Sequence, residues 1–310
     1  MKFQACLMSA TLLGFTSAVS AVSSFGPLVT PAQLSEGLGD VQPLILDIRG
    51  DDYSKSHIPG SISAPYGLFR GPKDNPGQVP DVATLEQTYE ALGLDTGRAV
   101  VIVPAGKDDS DFGAAARVYW TLKSSGFSDL SILNGGALAW QNQDLAMNAE
   151  AVTPQPSELE ITFSDNWTAQ TEEVVAATRG EVDALLLDAR PVDFYEGRKS
   201  HGAAARPGTL PGAANLEYSS FFDAGSPAMS SSTSSASLLE KLGVEEGEEI
   251  VSFCNTGHWA ATNWFALSEV AGLDNVKLYP GSMVEYSNTD NEMENTPGVV
   301  KNFLNKIKGN

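Results

Sequence analysis

The sequence predicts an α/β protein of two similar domains in tandem, each a small, mainly parallel sheet with helices on both faces. Three observations predict it. The chain repeats a set of landmarks in the same order; its short apolar runs are continuous and bounded by turn formers, as buried parallel strands require; and the stretches between them place apolar residues at helical spacing and end in glycine.

The chain opens MKFQACLMSATLLGFTSAVSAVS, with Lys2, an apolar run from about Leu7 to Val19, and the small residues Val19 and Ala21 at signal-peptidase spacing. Residues 1–21 are therefore expected to be a secretory signal peptide. The run is too short and too rich in Ser, Thr and Gly for a bilayer span, which needs roughly 20 apolar residues. The expected location is outside the cytoplasm, periplasmic in a Gram-negative bacterium and otherwise secreted, with no membrane association once the signal is gone. Cys6 leaves with that peptide and Cys254 remains, so the mature chain cannot form an internal disulfide.

Residues 22–147 carry the first copy of the landmarks: LILDIR (Leu44 to Arg49), HIPGS (His57 to Ser61), EALGL (Glu90 to Leu94), AVVIVP (Ala99 to Pro104) and LNGGALAW (Leu133 to Trp140). Residues 148–165, NAEAVTPQPSELEITFSD, have two prolines, a polar composition and no helical period, and read as the linker. Residues 166–310 carry the second copy: LLLDAR (Leu185 to Arg190), TLPGA (Thr209 to Ala213), EKLGV (Glu240 to Val244), EIVSFC (Glu249 to Cys254) and LYPGSMVEY (Leu278 to Tyr286). The repeat of roughly 150 residues is too long for a solenoid and suits duplicated domains. Within the second copy, TSSASLLEKLG and AATNWFALSEVAG predict helices, and the polar stretch Ala224 to Ser237 predicts a surface loop.

The charge is acidic, with 19 Lys plus Arg against 39 Asp plus Glu for a net −20. Such a surface repels nucleic acid and anionic membrane and keeps the chain in solution. One cysteine and three scattered histidines lack any metal-ligand spacing, so no metal and no cofactor is expected.

The chemistry gathers at SFCNTGHWAATNWF. EIVSF predicts a strand, NTGHW a turn and AATNWFALSEV a helix, which puts Cys254 beyond the carboxyl end of a parallel strand, where ligands bind in open α/β sheets. A thiol there sits near a helix N-terminus, and its pKa is expected to fall below the usual ~8.5, giving a reactive thiolate. Asn255, Thr256 and Gly257 suit a cradle of backbone N–H donors around the sulfur. His258 either binds an anion when protonated or packs, and Trp259 is expected to wall a pocket. Trp264 and Phe265 are expected in the core of the following helix, and His57 in a structural role.

In this order, the D-x-R after the first strand of each half, the HIPG-like turn, the strand–Cys–loop–helix and the late GG/GS…W/Y segment resemble the rhodanese superfamily, tandem-domain type, over nearly the whole mature chain. That resemblance implies two rhodanese-like domains of which the second is catalytic. Cys254 would take a sulfane sulfur from thiosulfate or a related donor, hold it as a persulfide, and pass it to cyanide, a small thiol or a thiol protein. The first domain would be inactive, because aligning AVVIVP with EIVSFC puts Pro104 opposite Cys254.

The loop C-N-T-G-H-W departs from both known patterns of that family, the basic loop of thiosulfate-type members and the C-G-[ST]-G-V-T-like loop of mercaptopyruvate-type members. Lacking Arg or Lys in the loop, the chain is expected to neutralise an anionic donor with backbone N–H groups, with His258 or with residues from elsewhere, for which the candidates are the run Arg198, Lys199, His201 and Arg206, with Arg206 or Arg198 leading and a solvated surface loop the alternative. Asp188 and Arg190 are expected to form a charge-assisted pair that holds the loop. Phosphatase-like or arsenate-reducing chemistry would need Arg six positions after the cysteine, where position 260 is Ala. A non-catalytic sulfur-carrier or partner-binding module is the alternative, since fold alone does not establish activity.

Overall fold

In the computed structural model, which describes residues 24–230 and 234–298, each half folds around a parallel sheet. The expected signal peptide lies outside the described residues. The first half runs β1 (Leu28–Val29), α1 (Pro31–Val41), β2 (Leu44–Asp47), β3 (Ile62–Ser63), α2 (Val82–Leu92), β4 (Val100–Val103), α3 (Asp109–Ser124), β5 (Leu130–Leu133) and α4 (Gly136–Gln141). The second runs α5 (Thr171–Thr178), β6 (Ala184–Asp188), α6 (Val192–Tyr195), β7 (Ala214–Asn215), α7 (Ser235–Leu242), β8 (Glu249–Phe253), α8 (Trp259–Trp264), β9 (Val276–Leu278) and α9 (Ser282–Tyr286).

The sheet orders are β1-β5-β4-β2-β3 and β7-β6-β8-β9, with every strand pair parallel. A parallel bridge from Thr168 to Leu278 stands where β1 pairs with β5 in the first half, so the two orders are the same. The predicted duplication and fold class are both found. Leu46 faces Ile102 in the first sheet and Leu187 faces Ser252 in the second, each pairing the D-x-R strand with the strand before Pro104 or Cys254.

Side chains alternate between the faces of a strand, so each sheet presents two apolar surfaces. One face of each half keeps to itself: Ile45, Val101, Val103 and Trp140 pack together in the first, and Leu186, Val251, Phe253 and Met283 in the second. The other faces join. Leu44, Leu46, Val100 and Ile102 share one continuous cluster with Leu187, Ile250, Trp264 and Phe265. The join runs through α3 and the helix that begins as α8, where Phe112 and Tyr119 meet Phe265, the residue after α8, edge-on at 5.4 and 5.0 Å between centroids.

Capping accounts for the helix ends. Asp108 caps α3 by accepting from the Asp111 amide, Ser234 caps α7, and α2 and α7 stop at Gly93 and Gly243 in the left-handed conformation. Three details differ from the expectations. The helix predicted over AATNWFALSEV is α-helical only to Trp264 and continues as a π-helix over Phe265–Val270. Residues of the expected linker are strapped along α2: the Ser157 amide donates to the Glu90 carbonyl, the Ile161 amide to the Glu86 carboxylate, and Ile161 is buried. The polar stretch after Ala224 is not wholly a surface loop, because Met229 is buried and exchanges hydrogen bonds with the side chain of Asn134 from the other half.

Candidate active site

Cys254 directly follows β8 and is buried, with 1% of its surface exposed. The segment entering α9 closes over it. Ser282 Oγ accepts from the amides of Cys254 (3.0 Å) and Gly257 (3.1 Å) and donates to the Tyr279 carbonyl, while the Met283 and Val284 amides donate to the carbonyls of Cys254 and Asn255. Ser282 does this from φ +52, a left-handed conformation that costs a side-chain-bearing residue roughly 1–2 kcal/mol. The first-half counterpart is Gly136, also at positive φ, beside Pro104, whose carbonyl accepts from the Ala137 amide. The amides of Asn255, Thr256 and His258 have no hydrogen-bond partner among the described residues and remain available to an anion at the sulfur.

Gly257 is required twice over. Its φ is +67, and a Cβ there would run into Arg117 Nη1 and lie 2.7 Å from the Pro280 carbonyl oxygen. The loop is thus pressed against the first half.

That half supplies the opposite wall. His258 Nε2 is 2.9 Å from the Ser110 carbonyl oxygen, so it carries the proton and donates, which leaves Nδ1 to accept from Tyr66 Oη at 3.1 Å. Burial, with the like charge of Arg70 second, pushes the His258 pKa down to about 4. His258 is therefore neutral at pH 7, which favours the packing alternative over the protonated anion binder. Trp259 donates to Ser110 Oγ and stacks on Tyr218 at 5.1 Å, as a wall between α3 and the second half. Gly113 of α3 allows this approach, since a Cβ there would lie 2.9 Å from the His258 carbonyl oxygen.

Two arginines of the first half complete the wall. Arg117, on α3, is fully buried; its Nη2 donates to the Gly77 carbonyl at 2.8 Å, its Nη1 reaches the Gly257 carbonyl at 3.5 Å, and its guanidinium lies 4.9 Å over the Trp120 ring. Burial lowers its pKa to about 9, helped by the like charge of Arg70 and opposed by Tyr66 and Cys254. It is still cationic at neutral pH. Arg70 lies 5.1 Å over the Tyr66 ring.

The basic run singled out in the sequence is engaged by its own surroundings in the second half. Arg206 spends its guanidinium on the carbonyls of Ser287, Thr289 and Asn291, fixing the turn after α9. Arg198 pairs with Asp193 and Glu196 at the half-exposed surface, and Lys199 pairs with Asp193. The His201 ring accepts from the Ala203 amide and lies close enough to Arg70 for that charge to lower its pKa, after burial.

Asp188 and Arg190 form a buried pair at 2.6 Å. Arg190 also donates to the Gly208 carbonyl and to Asn255 Oδ1, and Thr209 donates to Asp188, which ties the pair to the cysteine loop. The first half repeats the device with Asp47, Arg49 and the Ser56 carbonyl. His57 is buried against Tyr53, its ring nitrogens facing the carbonyls of Tyr53 and Glu150, and Trp264 and Phe265 are core.

At the end of β4, where Pro104 stands for the cysteine, a cavity of about 370 Å³ is lined by Tyr66, Pro104, Lys107, Ser110, Asp111 and His258. It backs onto the wall of the Cys254 site.

Two duplicated parallel sheets, a D-x-R pair below each loop and a thiol beyond one central strand define the class: the chain belongs to the rhodanese family, as a tandem-domain sulfurtransferase. The family model for the rhodanese-like domain matches residues 30–143 and again 171–289. The chain is 30% identical over 272 residues to the thiosulfate sulfurtransferase of Pseudomonas aeruginosa, covering 87% of this chain and 97% of that one. It is 31% identical over 263 residues to the thiosulfate sulfurtransferase of Azotobacter vinelandii, covering 84% and 94%. Among solved structures, the 3-mercaptopyruvate sulfotransferase SseA of Escherichia coli shares the fold with a TM-score of 0.70, at 24% identity over 83% of this chain and 98% of that one.

Proposed function

We propose that the Cys254 thiolate attacks the outer sulfur of thiosulfate, so that the S–S bond breaks with its electron pair going to the departing sulfite and Cys254 is left as a persulfide. An acceptor then takes the terminal sulfur; cyanide leaves as thiocyanate and the thiolate returns. No outside oxidant, reductant or cofactor enters the balance, and the two half-reactions predict ping-pong kinetics. The observation that carries this reading is Cys254 itself, beyond the end of β8 in a loop whose Asn255, Thr256 and His258 amides are left without partners. The site residues are read as Cys254 the nucleophile, the amides of Asn255, Thr256 and His258 the cradle, Gly257 the turn whose own amide is taken by Ser282, and Asp188 with Arg190 the support of that cradle.

The similarity to proteins named thiosulfate sulfurtransferase favours thiosulfate as donor over 3-mercaptopyruvate. A thiol only 1% exposed favours a small acceptor over a thiol on a folded protein. The test is the intact mass of the purified protein before and after thiosulfate, with 3-mercaptopyruvate in parallel. A gain of one sulfur atom, removed by cyanide and absent from Cys254→Ser, is expected; no gain with either donor, or turnover by the serine variant, overturns the reading. Export is read from the MKFQACLMSATLLGF opening. Amino-terminal sequencing of the native protein should begin at Val22, and an intact Met1 end would reject it.

A further inference from the structure

A doubly negative donor must approach a thiolate in a protein of net charge −20. That needs local positive charge not already spent. The cations of the second half near the loop are spent: Arg190 on Asp188, Asn255 and Gly208, Arg206 on three carbonyls, Arg198 and Lys199 on Asp193.

Neither Arg117 nor Arg70 makes an ion pair among the described residues, although Arg117 is fully buried. Arg206 makes none either, but its Nε and Nη2 are engaged, whereas Arg117 and Arg70 each keep a buried donor unused. Nε of Arg117 and Nη1 of Arg70 are both buried without a hydrogen-bond partner. An uncompensated buried cation is costly, and two beside each other more so, unless an anion arrives between them. Each guanidinium is held in advance against a ring, Arg70 over Tyr66 and Arg117 over Trp120. Arg117 reaches the Gly257 carbonyl of the cysteine loop, and Arg70 is joined to that loop through Tyr66, which bonds to His258.

We propose that Arg70 and Arg117, from the half of the chain without the nucleophile, form the anion site that receives the sulfonate head of the sulfur donor and holds the departing sulfite. The proposal rests on the sulfur-transfer reading above for its ligand. Donors on two separate guanidiniums suit a tetrahedral head with three oxygens, whereas a carboxylate is satisfied by one planar fork. As the S–S bond breaks its electron pair moves onto sulfite, so the same cations stabilise the negative charge where it grows. The first domain, lacking a cysteine, thereby supplies the cations of the site.

The experiment has two arms. In the first, binding of thiosulfate to Cys254→Ser is compared by calorimetry with binding to Cys254→Ser/Arg70→Met and Cys254→Ser/Arg117→Lys. Removing one charge-assisted hydrogen bond to the anion predicts about 10- to 100-fold weaker binding in both. In the second, each half-reaction is measured separately in Arg70→Met and Arg70→Lys, with a neutral water-soluble phosphine as acceptor. Because ping-pong kinetics report donor and acceptor steps independently, Arg70→Met should lower kcat/KM for thiosulfate about 10- to 100-fold, leave kcat/KM for the phosphine within about twofold, and be partly rescued by Arg70→Lys. A purely structural arginine would slow both steps alike. Unchanged thiosulfate binding in the Arg70→Met protein, or equal loss in both half-reactions, overturns the proposal. If the wild type transfers no sulfur at all, the sulfur-transfer reading falls, and the binding arm still decides the anion site.

Discussion

At the scale of single residues, the side chains of Ser282 and His258 show how much the site depends on the hydrogen bonds that hold its loop. Ser282 Oγ satisfies two buried amides of the cysteine loop from a strained backbone. Ser282→Ala keeps the strain and strands both amides, which predicts a loss of about 1–3 kcal/mol per stranded amide in urea denaturation. Ser282→Gly strands the same amides but relieves the backbone, so it should fall short of the alanine variant's loss by about 1 kcal/mol; equal losses would contradict the strain. For His258 the folded pKa of about 4 lies below the ordinary 6.5. The unfolded chain therefore binds a proton first as pH falls. The contribution is fully present above pH 6.5 and is lost on the way down to pH 4, by about 2 kcal/mol at pH 5. His258→Gln should remove that part of the acid destabilisation between pH 7 and pH 5, read as a smaller difference in unfolding free energy. An unchanged slope would mean that His258 titrates normally.

At the scale of elements, the strand-end devices were readable in the chain and their partners were not. D-x-R appears twice, and both copies fold into the same bidentate pair under the following loop, so Asp188 and Arg190 followed from the sequence. EIVSF as strand and Cys254 at its end followed equally. The partners of Arg206 and Arg198 were not readable, because a basic run close in sequence to a turn says nothing of which carboxylates and carbonyls the fold sets beside it. Arg117 left only a faint mark, a cation amid the small and apolar residues of FGAAARVYW, where burial demands a partner from another element. Ser282 left none, since the two amides and the carbonyl that its Oγ meets come together only in the fold. The D-x-R pair carries a prediction at this scale. Arg190→Met leaves the Asp188 carboxylate buried without its partner and unties Asn255, which should cost about 3–5 kcal/mol in urea unfolding. The same change in the first half, Arg49→Met, should cost stability while leaving persulfide formation on Cys254 within about twofold, because no cysteine stands over it. Equal loss of sulfur uptake in both would show that the pairs act on global stability rather than on their own loops.

At the scale of the whole molecule, the duplicated chain has lost its symmetry of function and kept its symmetry of packing. Tyr66 and Tyr218 occupy matching places, their amides donating to Ile48 and Ala189, yet Tyr66 reaches across to His258 and Tyr218 stacks on Trp259. Both residues thus serve the one loop that holds a thiol. The inner faces of the two sheets form a single apolar cluster, with α3 and the helix that begins as α8 in contact through Phe112, Tyr119, Trp264 and Phe265. Tyr119 and Lys123 of α3 add hydrogen bonds to the Glu269 carboxylate at 2.9 Å. A joint of that kind resembles the interior of one domain more than a contact between two, since relative motion is expected only where an interface is small and polar. The halves should therefore unfold together. Scanning calorimetry is expected to give one transition, with a calorimetric enthalpy equal to the van't Hoff enthalpy. Phe112→Ala, which removes the ring from the centre of the joint, should destabilise by about 3–5 kcal/mol and separate the transition into two, because it weakens the coupling without touching either sheet. Two transitions in the wild type would show that the halves are stable apart, and the walls that Tyr66, Arg70 and Arg117 contribute would then have to assemble by docking rather than by folding.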